Sequence, residues 1–239
     1  MYNQIGESYM GIASLNIVII GLILMFSVAS FATDKRTDAA KLTISYIDHP
    51  SVVNKALPLI EKAYKAEKIS VDFVAIPSHR LINEIQSQHT DGDVILAKEI
   101  FAPYKELIAV GPPLTKVQFV LLCVEKVPCN QRVIQTSPKT ILATDESMRV
   151  ILNKFPTSRR NRYYQLNQLG RLPHLLQEQR FEYAIYVMSS SWPIPQALEH
   201  LNRHVLFETH AYHVVHKKHA EIADKIAGRI TEILDSNAK

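Results

Sequence analysis

The chain has 239 residues, 47% of them hydrophobic and 21% charged, with a formal net charge of +4. This is a globular composition that excludes a disordered or low-complexity chain and suffices for one sizeable domain or two small lobes. Apart from the run RRNR at 159–162, the bases are dispersed and lack the aromatic interleaving of a nucleic-acid groove, so no nucleic-acid partner is expected.

In chain order, residues 12–32 carry no charge and end in S-F-A before the charged TDKR at 33–36. Small residues at the two positions a signal peptidase reads imply cleavage before Thr33 and a periplasmic product. The run is also long enough to span a bilayer, so residues 1–32 are read as a signal peptide or a retained N-terminal anchor. KLTISYID (41–48) alternates and is rich in β-branched residues, as a strand does. Val53, Ala56, Leu57, Ile60, Ala63 and Tyr64 then line one face of a helix, and Pro58 inside it implies a kink or a later start. ISVDFVAIP (69–77) is a second strand and SHRLINEIQSQ a helix that Ser78 is placed to cap. HTDGDVILA (89–97) supplies a turn and a third strand. This βαβαβ order implies a parallel sheet covered by helices.

Residues 105–125 are extended. A second series begins at KTILATDES (139–147), with a strand leading into a helix at Thr144, and continues through the strand-like RYYQLN, the helical GRLPHLLQEQR and the strand FEYAIYVMSS (181–190). HVLFETHAYHVVH (204–216) returns as a strand before a C-terminal helix carrying Ile222, Ile226, Ile230, Ile233 and Leu234. Cys123 and Cys129, the two cysteines of the chain, permit a small disulfide loop in an oxidising compartment.

The stretch HAYHVVHKKH (210–219) has histidines at every third position. In a strand, His213 faces away from His210 and His216, and those two stand about 20 Å apart at ~3.3 Å per residue. No metal is therefore expected, and no cofactor is implied. No nucleophile elbow, phosphate loop or zinc motif is present, so no enzyme activity is expected.

Four segments carry a family resemblance: IPSHRLINEIQSQHTDGDVI, FAPYKELIAVGPPLTKVQFVLLC, FEYAIYV and ETHAYHVVHKKHAEIADKIAGRITEIL. Together they resemble the periplasmic solute-binding proteins of family 3 over residues 40–235. The resemblance implies a two-lobed α/β fold of the type II periplasmic-binding-protein kind, each lobe a mixed sheet flanked by helices. Lobe 1 would comprise 40–122 and lobe 2 123–203, with 204–239 returning to complete lobe 1. It further implies a monomer that clamps a small polar solute and hands it to a membrane permease of an ABC transporter or to a sensor.

By position on that template, the cleft candidates are Tyr46, Asp48, Lys98, Thr144, Ser147 and Ser189, with Arg80 a further one. Ile95 and Leu96 stand where amino-acid binders of the family carry an arginine for the ligand carboxylate, and Lys98 is the nearest base. TDES replaces the glycine at the second-lobe helix start, and Asp145 would repel an anion. Ordinary free amino acids are thus disfavoured, and the competing reading is a ligand-free scaffold that acts through protein contact.

Overall fold

The computed structural model describes residues 41–156, 163–192 and 194–237. The leader at 1–32 and the arginine run at 159–162 lie outside the described residues. Strand β1 (Leu42–Tyr46) is followed by a wide π-type turn over Val52–Ala56 and then by α1 (Leu57–Ala66). Pro58 thus follows directly on the π-type turn, inside a continuous run of helical backbone from Pro50 to Ala66, and the widened turn marks where the proline interrupts the regular ladder. The helix buries Ile60, Ala63 and Tyr64.

After β2 (Val71–Ala75) comes a 3-10 turn, Ser78–Arg80, and then α2 (Leu81–Gln86). Ser78 does not cap this helix. Arg80 stands at the cap position of α2 and Pro77 at that of the 3-10 turn, while the buried Ser78 hydroxyl lies beside Glu146. Next in order are β3 (Gly92–Ala97), the single turn α3 (Lys98–Phe101), the long β4 (Leu107–Cys123), α4 (Gln131–Thr136) and β5 (Ile141–Ala143). The rest comprises α5 (Asp145–Lys154), β6 (Tyr163–Gln165), α6 (Leu172–Gln177), β7 (Tyr183–Ser189), the long β8 (Asn202–His216) and α7 (Ala220–Asn237).

All eight strands form one sheet in the order β2-β1-β3-β8-β4-β7-β5-β6. The outer groups β2-β1-β3 and β7-β5-β6 are each internally parallel, and the antiparallel pair β4–β8 runs between them. Helices cover both faces. Ile44, Val94 and Val215 pack under α1 and α7, and Leu96 and Val214 under α2. In the second group Phe119, Leu121 and Ile141 lie against α4 and α5, while Leu122, Leu142 and Ala184 lie against α6. Phe119 is fully buried and stacks on Phe207 with centroids 4.6 Å apart, so its truncation to alanine should cost about 3–5 kcal/mol.

The β4–β8 register shifts between Val110 and Thr115, across Gly111-Pro112-Pro113-Leu114. Gly111 has φ +72°, and a Cβ there would stand 3.1 Å from the Cα of Ala227 in α7, so both conformation and space require glycine. At Gly92 a Cβ would lie 2.3 Å from the Val214 carbonyl, which is why β3 can approach β8 there. Beyond β4, a disulfide joins Cys123 to Cys129.

Candidate functional site

Both groups of strands contribute walls to one cleft of about 110 Å³. Ile47 and His49 follow the end of β1, Ile95–Ala97 form the end of β3, and Ile100 lies in α3. Across from them stand Thr144, Glu146 and Ser147 at the start of α5, together with Ile185 and Val187–Ser189 of β7 and Trp192 just after it. Ser51 and Val52, Leu169, Val117 of β4 and Ala211 of β8 complete the lining. Carboxyl ends of parallel strands are where open α/β sheets place their sites, because strand order reverses there and leaves a crevice.

Of the residues expected in a cleft, Thr144, Ser147 and Ser189 line this one. The Thr144 Oγ1 accepts from the Ser147 N–H at 3.2 Å and donates to the Ser147 Oγ at 3.0 Å, so it caps α5 while standing in the wall. Ser189 shares a 2.6 Å hydrogen bond with Thr115. Tyr46, Asp48, Arg80 and Lys98 are not among the described lining residues. Tyr46 packs against the core under α1, Asp48 and Lys98 are exposed, and the Arg80 Nε donates to Glu84 at 3.0 Å on the surface. Chain neighbours of three of them line the cleft instead: Ile47 follows Tyr46, Ile47 and His49 flank Asp48, and Ala97 precedes Lys98.

Of four buried titratable groups in this part of the molecule, Glu146 and His49 line the cleft and Asp93 and His213 do not. Glu146 is 5% exposed and its carboxylate makes no hydrogen bond of ordinary geometry, the Ser78 hydroxyl being the side-chain donor beside it. Burial pushes its carboxyl up from 4.5 to about 7. Asp93 of β3 is likewise raised from 3.8 to about 7 by burial, although Ile95 N–H donates to its Oδ1 at 3.0 Å. The Ser45 Oγ donates to Asp93 Oδ2 at 2.9 Å and also lies 2.8 Å from the Gly92 carbonyl.

Burial lowers His49 and His213 from 6.5 to about 4, so both rings are neutral at pH 7. His49 Nδ1 accepts from the Ser51 N–H at 3.1 Å, which assigns the ring proton to Nε2, 2.6 Å from the Tyr186 Oη. That bond ties the loop after β1 to β7. His213 Nδ1 donates to the Asp93 carbonyl at 2.8 Å, leaving Nε2 to accept from Tyr64 at 2.9 Å.

No family model and no curated protein matches the sequence. Solved structures do match the fold. The arginine-bound ArgBP of T. maritima, as a Gly52Ala mutant, superposes with a TM-score of 0.65 at 14% identity over 84% of this chain and 100% of that one. The chain has the two-lobed fold of periplasmic binding proteins. The substrate-binding protein of an amino-acid ABC transporter shares this binding-protein fold with a TM-score of 0.61 at 13% identity, covering 82% and 94% of the two chains. So does a histidine kinase sensor domain similar to periplasmic binding proteins, with a TM-score of 0.65 at 13% identity over 83% and 92%.

Within this binding-protein fold, three lining residues escape a reading of the sequence. His49 sits one residue beyond a strand end and looks like an ordinary turn residue before Pro50. Trp192 follows a serine run with no periodicity to place it. Glu146 stands in the first turn of a helix, where an acid is expected simply to complement the dipole. The sequence assigns repulsion of anions to Asp145, yet Asp145 pairs with Arg149 and Glu146 is the acid in the wall.

The histidines of 210–219 disperse. His213 binds Tyr64 and the Asp93 carbonyl, His216 accepts from the Lys218 N–H, His219 pairs with Asp91 at 2.6 Å, and His210 is exposed. Among the described residues no three His, Cys, Asp or Glu side chains converge as metal ligands.

Proposed function

We propose that the chain is an extracytoplasmic solute-binding domain that holds a small ligand between its two lobes and presents it to a membrane transporter or a sensor. The observation that carries this reading is the cleft, whose walls come from both parallel strand groups at their carboxyl ends. A ligand there touches β3 and α5 at once, so its contacts favour the closed arrangement of the lobes. The lobes run over 40–122 and 123–203, with 204–239 returning to the first, and β4 and β8 are the strands between them. Relatives in fold include both transporter-associated and sensor domains, which supports either destination. Export through residues 1–32 belongs to the same reading. Among the described residues no helix is long and apolar enough to cross a membrane.

A thermal-shift screen of the purified protein against amino acids, polyamines, small carboxylates, sugars and divalent metals tests the reading. A ligand that binds only the native state raises the melting temperature by mass action. A response abolished by Ser147→Ala or Ile95→Arg supports a ligand in the cleft. Silence across the panel favours the second reading, a scaffold acting through protein contact. The observation on that side is the lining itself, apolar at most positions and with no Lys or Arg among its described residues.

A further inference from the structure

The cleft wall contains an acid without a counter-ion. Both Glu146 oxygens are buried without a hydrogen bond of ordinary geometry, and the one side-chain donor beside them is the neutral Ser78 hydroxyl, whereas buried carboxylates are ordinarily paired or fully hydrogen-bonded. Arg149, one turn along the same helix, is committed elsewhere: its Nε donates to Asp145 at 2.9 Å and its Nη1 to the Tyr104 Oη at 3.0 Å. On its other side Glu146 borders a second cavity of about 130 Å³, which also holds Glu99, and the Glu99 Oε2 is buried and unpartnered too. Asp93, buried nearby, adds a third acid. Among the described residues lining the cleft Glu146 is the one acid and no Lys or Arg is present, so that wall repels a carboxylate or phosphate; Arg149 borders only the second cavity.

The remaining surface is hydrocarbon, from Ile95, Ile100, Ile185, Val187 and Trp192. Resting on the reading of this cleft as a solute site, we propose that its ligand is a small aliphatic primary amine without a carboxylate, its ammonium on Glu146 and its hydrocarbon body against these side chains. An ammonium has three donors and no acceptor, so it can serve both carboxylate oxygens through charge-assisted bonds. Size limits the body. An apolar cavity of about 150 Å³ accepts benzene, so a cleft of about 110 Å³ takes roughly four carbons. A hard metal ion fits less well, since calcium takes about six to eight oxygen ligands.

Isobutylamine, isobutanol and isobutyrate share a branched hydrocarbon body and differ in the head group. Trp192 is the one tryptophan of the chain and lines the cleft, so its fluorescence reports occupancy in titrations of the purified protein. We expect isobutylamine to bind about tenfold to hundredfold more tightly than isobutanol, the range of a charge-assisted hydrogen bond, with isobutyrate weakest. Glu146→Gln should reduce the affinity for the amine to that for the alcohol.

Equal affinity for amine and alcohol, or a preference for isobutyrate, overturns recognition by charge while leaving the solute cleft in place. No binding of any of the three by protein with a cooperative melting transition overturns the amine, and a silent thermal-shift panel beside it overturns the solute reading as well. The ranking on the unaltered protein decides the matter even if the variant is not obtained folded.

Discussion

Replacing Glu146 by glutamine should stabilise the protein, and only above about pH 5. In the fold its carboxyl is pushed from 4.5 to about 7, chiefly by burial, so between those values the folded chain holds a proton that the unfolded chain has released. Stability from this group is therefore fully present below 4.5 and is lost as pH rises through about 7. At about 1.4 kcal/mol per pH unit, the interval corresponds to a penalty of roughly 3 kcal/mol in the alkaline limit.

Glutamine keeps the shape and never ionises. Its removal of charge also relieves Asp93, whose carboxyl Glu146 pushes further up, so the two effects share a sign. Urea unfolding of wild type and Glu146→Gln at about pH 5 and about pH 8 should show near equality at the lower value and up to ~3 kcal/mol in favour of the variant at the higher. For a chain of this size that corresponds to an increase of roughly 6–12 °C in Tm. A difference between the two proteins that does not grow with pH would refute the assignment of Glu146 as a buried acid without a counter-ion.

His49 and His213, lowered to about 4, contribute stability that is present above 6.5 and lost as pH falls through 4, opposite in sign to the two acids. Asp93→Asn removes one of the opposing acids, so its denaturation midpoint should fall more steeply than that of wild type between about pH 6.5 and about pH 4. Gly111→Ala forces a side chain into the left-handed region and against Ala227, and should cost about 1–3 kcal/mol in equilibrium unfolding. Replacing Cys123 and Cys129 together by serine opens a loop closed over a separation of 6 residues. By chain entropy this should cost about 2 kcal/mol, and added reductant should have no further effect on the variant.

Much of the fold could be read in the sequence because it rests on periodicity. β1, β3 and β8 alternate or run apolar, α7 repeats isoleucine at helical spacing, and Thr144 starts α5 as its type predicts. The site was less legible. Lys98 is the base nearest the position where the family resemblance expects an arginine, but it opens the four-residue helix α3, too short to leave a pattern, and it is exposed. Ser78 has the chemistry of a cap, yet a 3-10 turn intervenes, Arg80 takes the cap position of α2, and the serine hydroxyl is buried beside Glu146, distant in sequence. Glu146 differs from any other first-turn acid only in what α3 and the Ser78–Arg80 turn bring against it, and that is a tertiary fact.

The route of the chain between Cys123 and Asn202 has a further consequence. These two residues are direct partners across β4 and β8, so everything from 124 to 201 leaves and rejoins the sheet at adjacent points. Topologically the stretch is an insert in a long hairpin, and a tight reverse turn could bridge the gap it would leave. A truncated protein of that kind would keep β1 to β3 and α7 intact, and would provide a scaffold on which other inserts could be grafted without disturbing the connectivity around them.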